Sequence, residues 1–278
     1  MRIKATQMER IFGMSQNGIR LYEKNGILRL ERRAGSSYRL YGPEEMLAMG
    51  SGVQLRRYGF TMQETGRLLG ETDEDGQLQA LQAREEALAG EIERLLRVRK
   101  SLHTQIGRIR QAERLLDDCA LEEKPAMYFL GTLRGGRPVD ENMIDLLSKW
   151  VDAYAPHLSA AMLLDGPYLT RTDYHEPPLQ GVAVDADVAL ELGLRASHQM
   201  LYLPPRPCVV TAVRIAAGDS LEPVFERVRR YAQANGYRLY AGGMIRQVQC
   251  VRREDKNVQT GLLYAPLDGD ERQYGAIR

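Results

Sequence analysis

The feature that most constrains the fold is a seven-residue repeat of apolar residues in the middle of the chain. Six aliphatic residues recur at every seventh position, namely Leu81, Leu88, Leu95, Leu102, Ile109 and Leu116. Such a repeat keeps one apolar seam along a single long helix and requires a partner helix to cover it. The positions three residues before them alternate apolar and charged side chains, as expected for a two-stranded coiled coil: Leu78, Glu85, Ile92, Arg99, Ile106 and Glu113. The sequence therefore predicts a helix over about residues 77–118 and a homodimer joined through it.

Length and cysteine usage indicate a cytoplasmic protein with two domains and a connector. A chain of 278 residues is long enough for that arrangement. Its start, MRIKATQMER, lacks the apolar region of a signal peptide, and no stretch is apolar over the length of a membrane span. The three cysteines, Cys119, Cys208 and Cys250, are far apart and odd in number, which argues against a disulfide framework. We expect a cytoplasmic location and no membrane partner.

Charge is unevenly distributed along the chain. Residues 1–70 carry 12 Lys and Arg against 6 Asp and Glu, whereas residues 71–123 carry 8 against 13. Residues 124–278 are balanced, with 18 of each sign. A positive N-terminal region indicates a polyanionic partner for that region alone.

The basic N-terminal region has the pattern of a helix-turn-helix followed by a wing. Gly13 ends a first helix that begins near Thr6, and Ser15 caps a second helix that runs to about Lys24. Residues 27–41 alternate polar and apolar side chains around the turn Ala34-Gly35-Ser36-Ser37, which predicts a hairpin bearing several arginines. Two further helices are predicted, over about residues 43–58 and 62–69. The second helix of such a motif enters the major groove of DNA.

Three motifs in this region resemble the MerR family of transcription regulators. They are IRLYEKNGIL, SYRLYGPEEM and QLRRYGFTMQETGRLL, and with the long helix the resemblance covers residues 1 to about 118. It implies double-stranded promoter DNA as a partner, with contacts from Ser15, Asn17, Arg20, Tyr22, Arg33, Tyr38, Arg39 and Arg56. Arginines and tyrosine hydroxyls suit phosphate contacts. In the alternative interpretation the tyrosines pack a small core and the arginines are solvated.

The resemblance also implies how such a protein works. Paired central helices hold two DNA-binding heads at a fixed spacing, so the operator is expected to be nearly palindromic. Family members distort an over-long promoter spacer so that RNA polymerase engages both promoter elements. Metal-sensing members place thiols at the start of the helix and in a loop after it, whereas here Cys119 stands alone at the far end. We therefore expect neither a metal nor a cofactor, and a structural role for Cys119.

The C-terminal region repeats one order of elements. Strand, helix, strand and strand are predicted at about residues 127–132, 140–154, 160–164 and 180–184, and again at 208–215, 221–235, 244–251 and 261–264. This duplication predicts a cleft between the halves. The expected fold class is α+β, with an all-α winged helix-turn-helix, a dimerising coiled-coil helix and a duplicated βαββ effector domain. The corresponding domains are residues 1–75, 76–120 and 121–278.

This region resembles the gyrase-inhibitor-like (GyrI-like) effector domain, over about residues 126–268. The supporting motifs are DGPYLTRTDYHEPPLQGVAVD, ANGYRLY and LLYAPL. The resemblance implies a small-molecule effector, often cationic and aromatic, held by stacking and an acidic residue. The expected ligand residues are Tyr128, Trp150, Tyr168, Tyr174, Glu176, Tyr240, Gln247 and Tyr264, with Tyr202 a further candidate. The strand MIRQVQC carries Arg246 and Gln247 where the family has a glutamate, so a neutral or anionic effector is also open.

The predicted function is that of a DNA-binding transcription regulator that acts as a dimer and responds to a small molecule. One alternative is an architectural DNA-binding protein that ignores small molecules. Another is a hydrolase built on the C-terminal domain, but His157 and Cys208 fall in no recognisable nucleophile motif, so no enzyme is expected.

Overall fold

The computed structural model of the chain describes residues 3–29, 40–194, 200–216, 218–253 and 255–269. Two compact units are formed, by residues 1–95 and by residues 96–278. Their boundary falls inside the longest helix. The domain limits expected at residues 75 and 120 remain predictions.

The N-terminal unit is built from short helices and one pair of strands. Its elements are β1 (Ile3–Lys4), α1 (Ala5–Phe12), α2 (Gln16–Lys24), β2 (Leu40–Tyr41), α3 (Pro43–Arg57), α4 (Met62–Gly70) and the start of α5 (Glu74–Arg114). The helices begin and end close to the predicted positions. The unit is not entirely helical, because β1 pairs antiparallel with β2, Ile3 lying opposite Tyr41. Strands of two residues are too short to leave a periodic pattern in the sequence.

Local signals fix the helix ends of this unit. Gly13 adopts a positive φ at the end of α1, and the Ser15 side chain accepts a hydrogen bond from the backbone N–H of Gly18. Thr61 and Glu64 form a reciprocal capping box at the start of α4. In α4, a side chain at Gly66 would collide with the backbone oxygen of Asn25, so glycine permits the close packing of α4 against the end of α2.

Helix α5 confirms the long helix predicted from the repeat, but its seam has different surroundings along its length. Leu81 packs with Leu55, Phe60 and Leu68 in the N-terminal unit, and Ile109 and Leu116 pack on the sheet of the C-terminal unit. These three residues are therefore partly covered within the chain itself, and their contacts in a dimer remain predictions. The middle stays exposed: Leu88, Leu95 and Leu102 are 41%, 50% and 59% exposed.

The C-terminal unit contains nine described strands and three further helices. They are β3 (Cys119–Lys124), β4 (Met127–Arg134), β5 (Arg137–Pro138), α6 (Asn142–Tyr154), β6 (Ser159–Leu164), β7 (Leu179–Asp185), α7 (Ala186–Glu191), β8 (Leu201–Leu203), β9 (Arg206–Ala216), α8 (Glu222–Ala234), β10 (Gly243–Arg253) and β11 (Lys256–Pro266). None of the helices in the described part of the chain is long and apolar enough to cross a membrane.

The strands form one sheet whose order displays the predicted duplication. The order is β3-β9-β11-β10-β6-β7-β4-β5, with β8 pairing with β4. One half contributes β9-β11-β10 and the other contributes β6-β7-β4, which is the same arrangement in the reverse direction. The halves meet where β10 pairs antiparallel with β6. The α+β fold class and the two βαββ repeats are therefore present.

Helices cover both faces of this sheet. Phe225 and Val228 of α8 pack against Ile245 and Leu263, whereas Ala112 and Leu115 at the end of α5 pack with the alternate residue Leu262 and its neighbours. Neighbouring strand residues point to opposite faces, so α8 and α5 lie on opposite sides of the sheet.

Helix α6 lies on the same face as α8. Val182 packs beneath α6 and lies opposite Ala160 in the β6–β7 pair, so the two side chains share a face of the sheet. Met162, two residues further along β6, points to that same face and packs in the core beneath α8. The space between the two helices therefore lies over the junction of the repeats.

Candidate DNA-binding surface and effector cavities

One exposed face of α2 carries Asn17 and Arg20, two of the residues expected at DNA, together with Lys24. Asn17, Arg20 and Lys24 are all exposed and lie three or four positions apart, so they share one side of the helix. Among the described residues, neither Arg20 nor Lys24 forms an ion pair with a carboxylate. This face therefore offers positive charge to an anionic partner.

Two of the residues predicted to contact DNA have a role in the fold of the N-terminal unit. Ser15 caps α2 through its hydroxyl oxygen. Tyr22 is buried with Ile19, Met8 and Met49 in the core of the N-terminal unit. Ile19 and Tyr22 are three residues apart on α2 and so face inward together, and a contact of Tyr22 with DNA remains a prediction.

Arg56 and the wing complete the expected surface. Arg56, near the end of α3, donates a hydrogen bond to the backbone oxygen of Phe60. Burial raises the pKa of Tyr22, and the nearby positive charge of Arg56 partly opposes that shift. Arg33, Tyr38 and Arg39, with the hairpin turn between residues 34 and 37, lie outside the described residues.

A cavity of about 310 Å³ lies where the cleft between the repeats was predicted. Leu147 of α6 and Val182 line it from the first repeat, and Val213, Ile245 and Gln247 line it from the second. Gln247 is the one predicted ligand residue in this cavity. Its walls are mostly apolar.

A larger cavity, of about 550 Å³, opens at the other face of the sheet. Leu163 and Met244 line it, and they are the direct neighbours along their strands of Met162 and Ile245, which line the first cavity and so point to the opposite face. Two predicted ligand residues, Tyr240 and Tyr264, line this cavity, as do Leu203, Pro204 and Pro266. Its volume lies in the range typical of small-molecule sites. We call it the Tyr240 cavity.

The polar groups of the Tyr240 cavity are mainly cationic. Lys124 and Arg206 line it together with Asp165. Asp165 already binds Arg134 through both carboxylate oxygens. Arg206 lies over the ring of Tyr240, with 5.9 Å between the guanidinium carbon and the ring centroid. The unneutralised charge in the cavity is therefore positive.

Lys124 is an unusual lysine, because only 5% of it is exposed. Its Nζ donates hydrogen bonds to the backbone oxygens of Pro125 at 2.9 Å and Leu203 at 3.2 Å. Burial lowers its pKa to about 8. Sequence reasoning missed this residue, because a lysine at the end of CALEEK resembles any surface lysine.

The other expected ligand residues lie in neither cavity. Trp150 is buried in the core beneath α6, and the ring of Tyr128 contacts that of Tyr202 in a tilted arrangement, with 5.3 Å between the ring centroids. Tyr168 is buried beneath α8 and donates its hydroxyl to the backbone oxygen of Glu176, while Tyr174 meets its ring edge-on at 4.8 Å. The structure therefore does not gather these aromatic residues into one site.

Arg246, which stands where the resembling family has a glutamate, is fully buried and ion-paired. Its guanidinium binds both carboxylate oxygens of Asp185 and donates Nε–H to the Ser159 hydroxyl at 3.0 Å. Arg108 of α5 pairs with the same carboxylate. Burial would raise the pKa of Asp185, but Arg246 and then Arg108 outweigh it and hold that pKa below its ordinary value. The triad of Arg108, Asp185 and Arg246 is therefore part of the interior of the unit, and it joins the C-terminal part of α5 to the sheet.

The two buried thiols offer little nucleophilic chemistry. Cys208 is fully buried, and burial raises its pKa to about 12, so almost none of it is thiolate near neutral pH. Burial also raises the pKa of Cys119, which packs in the core beneath α8.

Comparison with known proteins identifies the N-terminal unit. The family described as MerR HTH family regulatory protein matches residues 3–72. These residues therefore form a MerR-type helix-turn-helix domain. A comparison with curated proteins finds no match.

Among solved structures, the chain is similar to the EcmrR–DNA complex in EcmrR-RPo, at 16% identity over 96% of this chain and 100% of that one, with a TM-score of 0.35. A MerR family transcriptional regulator from Bacillus cereus is 17% identical over 38% of this chain and 80% of its own, with a TM-score of 0.33. SAV2435 bound to tetraphenylphosphonium is 12% identical over 56% of this chain and 98% of its own, with a TM-score of 0.32. TM-scores of this size do not establish a common fold over the aligned length.

Proposed function

We propose that the protein is a cytoplasmic, homodimeric transcription regulator that binds promoter DNA and responds to a small molecule bound in its C-terminal unit. The observation that supports DNA binding most directly is the exposed, unpaired positive face of α2 within a domain of the MerR type. Phosphate contacts by such a face set the register on the duplex and make binding salt-dependent.

The dimer rests on the exposed part of the α5 seam. Leu88, Ile92, Leu95, Leu102 and Ile106 are all exposed and occupy the repeat positions of a coiled coil, with the charged Arg99 at the position between Leu95 and Leu102. A second copy of this helix would cover them. Two DNA-binding heads would then read two half-sites of a near-palindromic operator.

The response to a small molecule rests on the two cavities of the C-terminal unit. An effector shifts an equilibrium only if it binds one conformation more tightly than the other. We propose that it biases two shapes of the promoter spacer, so that RNA polymerase engages the promoter in only one of them. An architectural protein without an effector is the second candidate, and it would bind DNA equally with and without any small molecule.

The DNA-binding proposal is tested by Arg20→Ala. We expect operator affinity to fall about tenfold, and the slope of log affinity against log salt concentration to decrease by about 1, because one phosphate contact is lost. The measurement is fluorescence anisotropy with a duplex that the wild-type protein has selected from a random library. Arg230→Ala, which removes an exposed arginine of the C-terminal unit, is the matched control and should leave both quantities unchanged. Equal affinities and slopes for Arg20→Ala and Arg230→Ala would refute the role assigned to α2.

A further inference from the structure

The two cationic side chains of the Tyr240 cavity, Lys124 and Arg206, lie next to each other on neighbouring strands. Lys124 ends β3 and lies directly opposite Arg206 in the antiparallel β3–β9 pair. Side chains at directly opposite positions emerge on the same face of the sheet, and like charges placed there destabilise the pair. An anion between them would convert this repulsion into attraction.

The ammonium group of Lys124 has capacity for another acceptor. It carries three N–H donors, two of which bind Pro125 and Leu203. Among the residues that the structure describes, no carboxylate lies within ion-pair distance of it. A buried charge without a counter-ion is costly, and this one borders an open cavity.

The remaining walls of the cavity suit a flat apolar body. Tyr240 is half exposed at the cavity and Tyr264 is buried beside it, while leucine, proline and methionine side chains supply the rest of the lining. The carboxylate of Asp165 is occupied by Arg134, so it offers little to a cationic guest.

We propose that the Tyr240 cavity binds a small aromatic carboxylate, with the carboxylate on Lys124 and Arg206 and the ring against Tyr240. This inference rests on the proposed effector role of the C-terminal unit and names the class of effector. The bound carboxylate accepts the third N–H of Lys124 and neutralises the like-charged pair. The same arrangement disfavours cations, which would add to the positive charge already present.

Three probes with one ring system test the proposal: 2-naphthoate, its neutral amide 2-naphthamide, and the cation 2-naphthylmethylammonium. Calorimetric titration of the full chain at pH 7 should show naphthoate binding at least tenfold more tightly than the amide and more tightly still than the cation. Naphthoate affinity should also fall as the pH rises above about 8, where Lys124 loses its proton, while amide affinity should stay constant.

Variants separate the charge from the ring. Lys124→Met should weaken naphthoate about 10- to 100-fold and leave the amide unchanged, whereas Tyr240→Ala should weaken both probes. Lys256→Met, which removes an exposed lysine elsewhere on the sheet, should change neither. If Lys124→Met does not fold, Arg206→Met, at an exposed position, should still weaken naphthoate several-fold.

The proposal is overturned if naphthoate fails to bind, if it binds no better than the amide or the cation, or if neither Lys124→Met nor Arg206→Met weakens its binding. Operator binding by the same preparation distinguishes the two levels of inference. If the protein binds its operator but not naphthoate, the carboxylate inference fails and the DNA-binding function stands. If it binds naphthoate but no DNA, the regulator proposal fails instead.

Discussion

The double substitution Leu88→Glu with Leu95→Glu is expected to convert the protein to monomers and to weaken operator binding at least 100-fold. Both leucines are exposed on α5, so the change should leave the fold of each chain intact. In a dimer it would bury four carboxylates at the seam, and the free-energy cost of burying them exceeds the stabilisation that a coiled coil of this length provides. Two linked heads bind two half-sites far more tightly than either head alone, and this advantage disappears with the dimer.

Analytical ultracentrifugation measures the first effect and fluorescence anisotropy with operator DNA the second. Leu190→Glu, a change of the same kind at an exposed position on α7, is the matched control and should preserve both the dimer and DNA binding. Sedimentation of the double variant as a dimer would contradict the seam. So would wild-type protein that sediments as a monomer at the concentrations at which it binds operator.

The elements with strong local patterns were predictable from sequence. The strand expected over residues 208–215 and the helix expected over 221–235 differ from β9 and α8 by two residues or fewer at either end. Strand β3 was not predicted, because the segment CALEEK joins the end of a helical pattern to three charged residues. It becomes a strand through pairing with β9, which lies far along the chain and leaves no local signal.

The candidate site was predicted less well than the fold, for a physical reason. A tyrosine is equally suited to a core, a surface or a cavity wall, and only the register decides which face it occupies. Tyr240 and Tyr264 therefore line a cavity, while Tyr168 fills a core. The two cations of the Tyr240 cavity come from β3 and β9, and no sequence spacing brings Lys124 and Arg206 together.

The same limitation applied to Arg246. The sequence showed an arginine in place of an acid, which left the charge of the effector open. In the structure, Arg246 forms an ion pair with Asp185 on β7 of the other repeat. Its side chain faces away from the cavity between the repeats, which Gln247 lines. The positive charge that faces open space is supplied by Lys124 and Arg206.

Asp185→Ala is expected to lower the free energy of unfolding of the C-terminal unit by about 3–5 kcal/mol, since it leaves the fully buried Arg246 without its counter-ion. Trp150, the single tryptophan, lies in the core of this unit, so its fluorescence during urea unfolding reports the change. The paired carboxylate has a lowered pKa, so its stabilisation is fully present above the ordinary aspartate pKa of about 4 and is lost as the pH falls through the lowered value. The difference between wild type and variant should therefore shrink in strong acid.

Adding Arg246→Met to Asp185→Ala is the control for the charge, because it removes the fully buried cation and leaves only Arg108, which is partly exposed, without a counter-ion. The double variant should recover part of the stability that Asp185→Ala loses, while Asp173→Ala, at an exposed ion pair with Arg171, should leave the stability almost unchanged. A loss for Asp185→Ala as small as that for Asp173→Ala would mean that the buried pair of Asp185 and Arg246 does not stabilise this unit. The expected larger loss would show that the buried pair of Asp185 and Arg246, which joins the two repeats, stabilises the C-terminal unit.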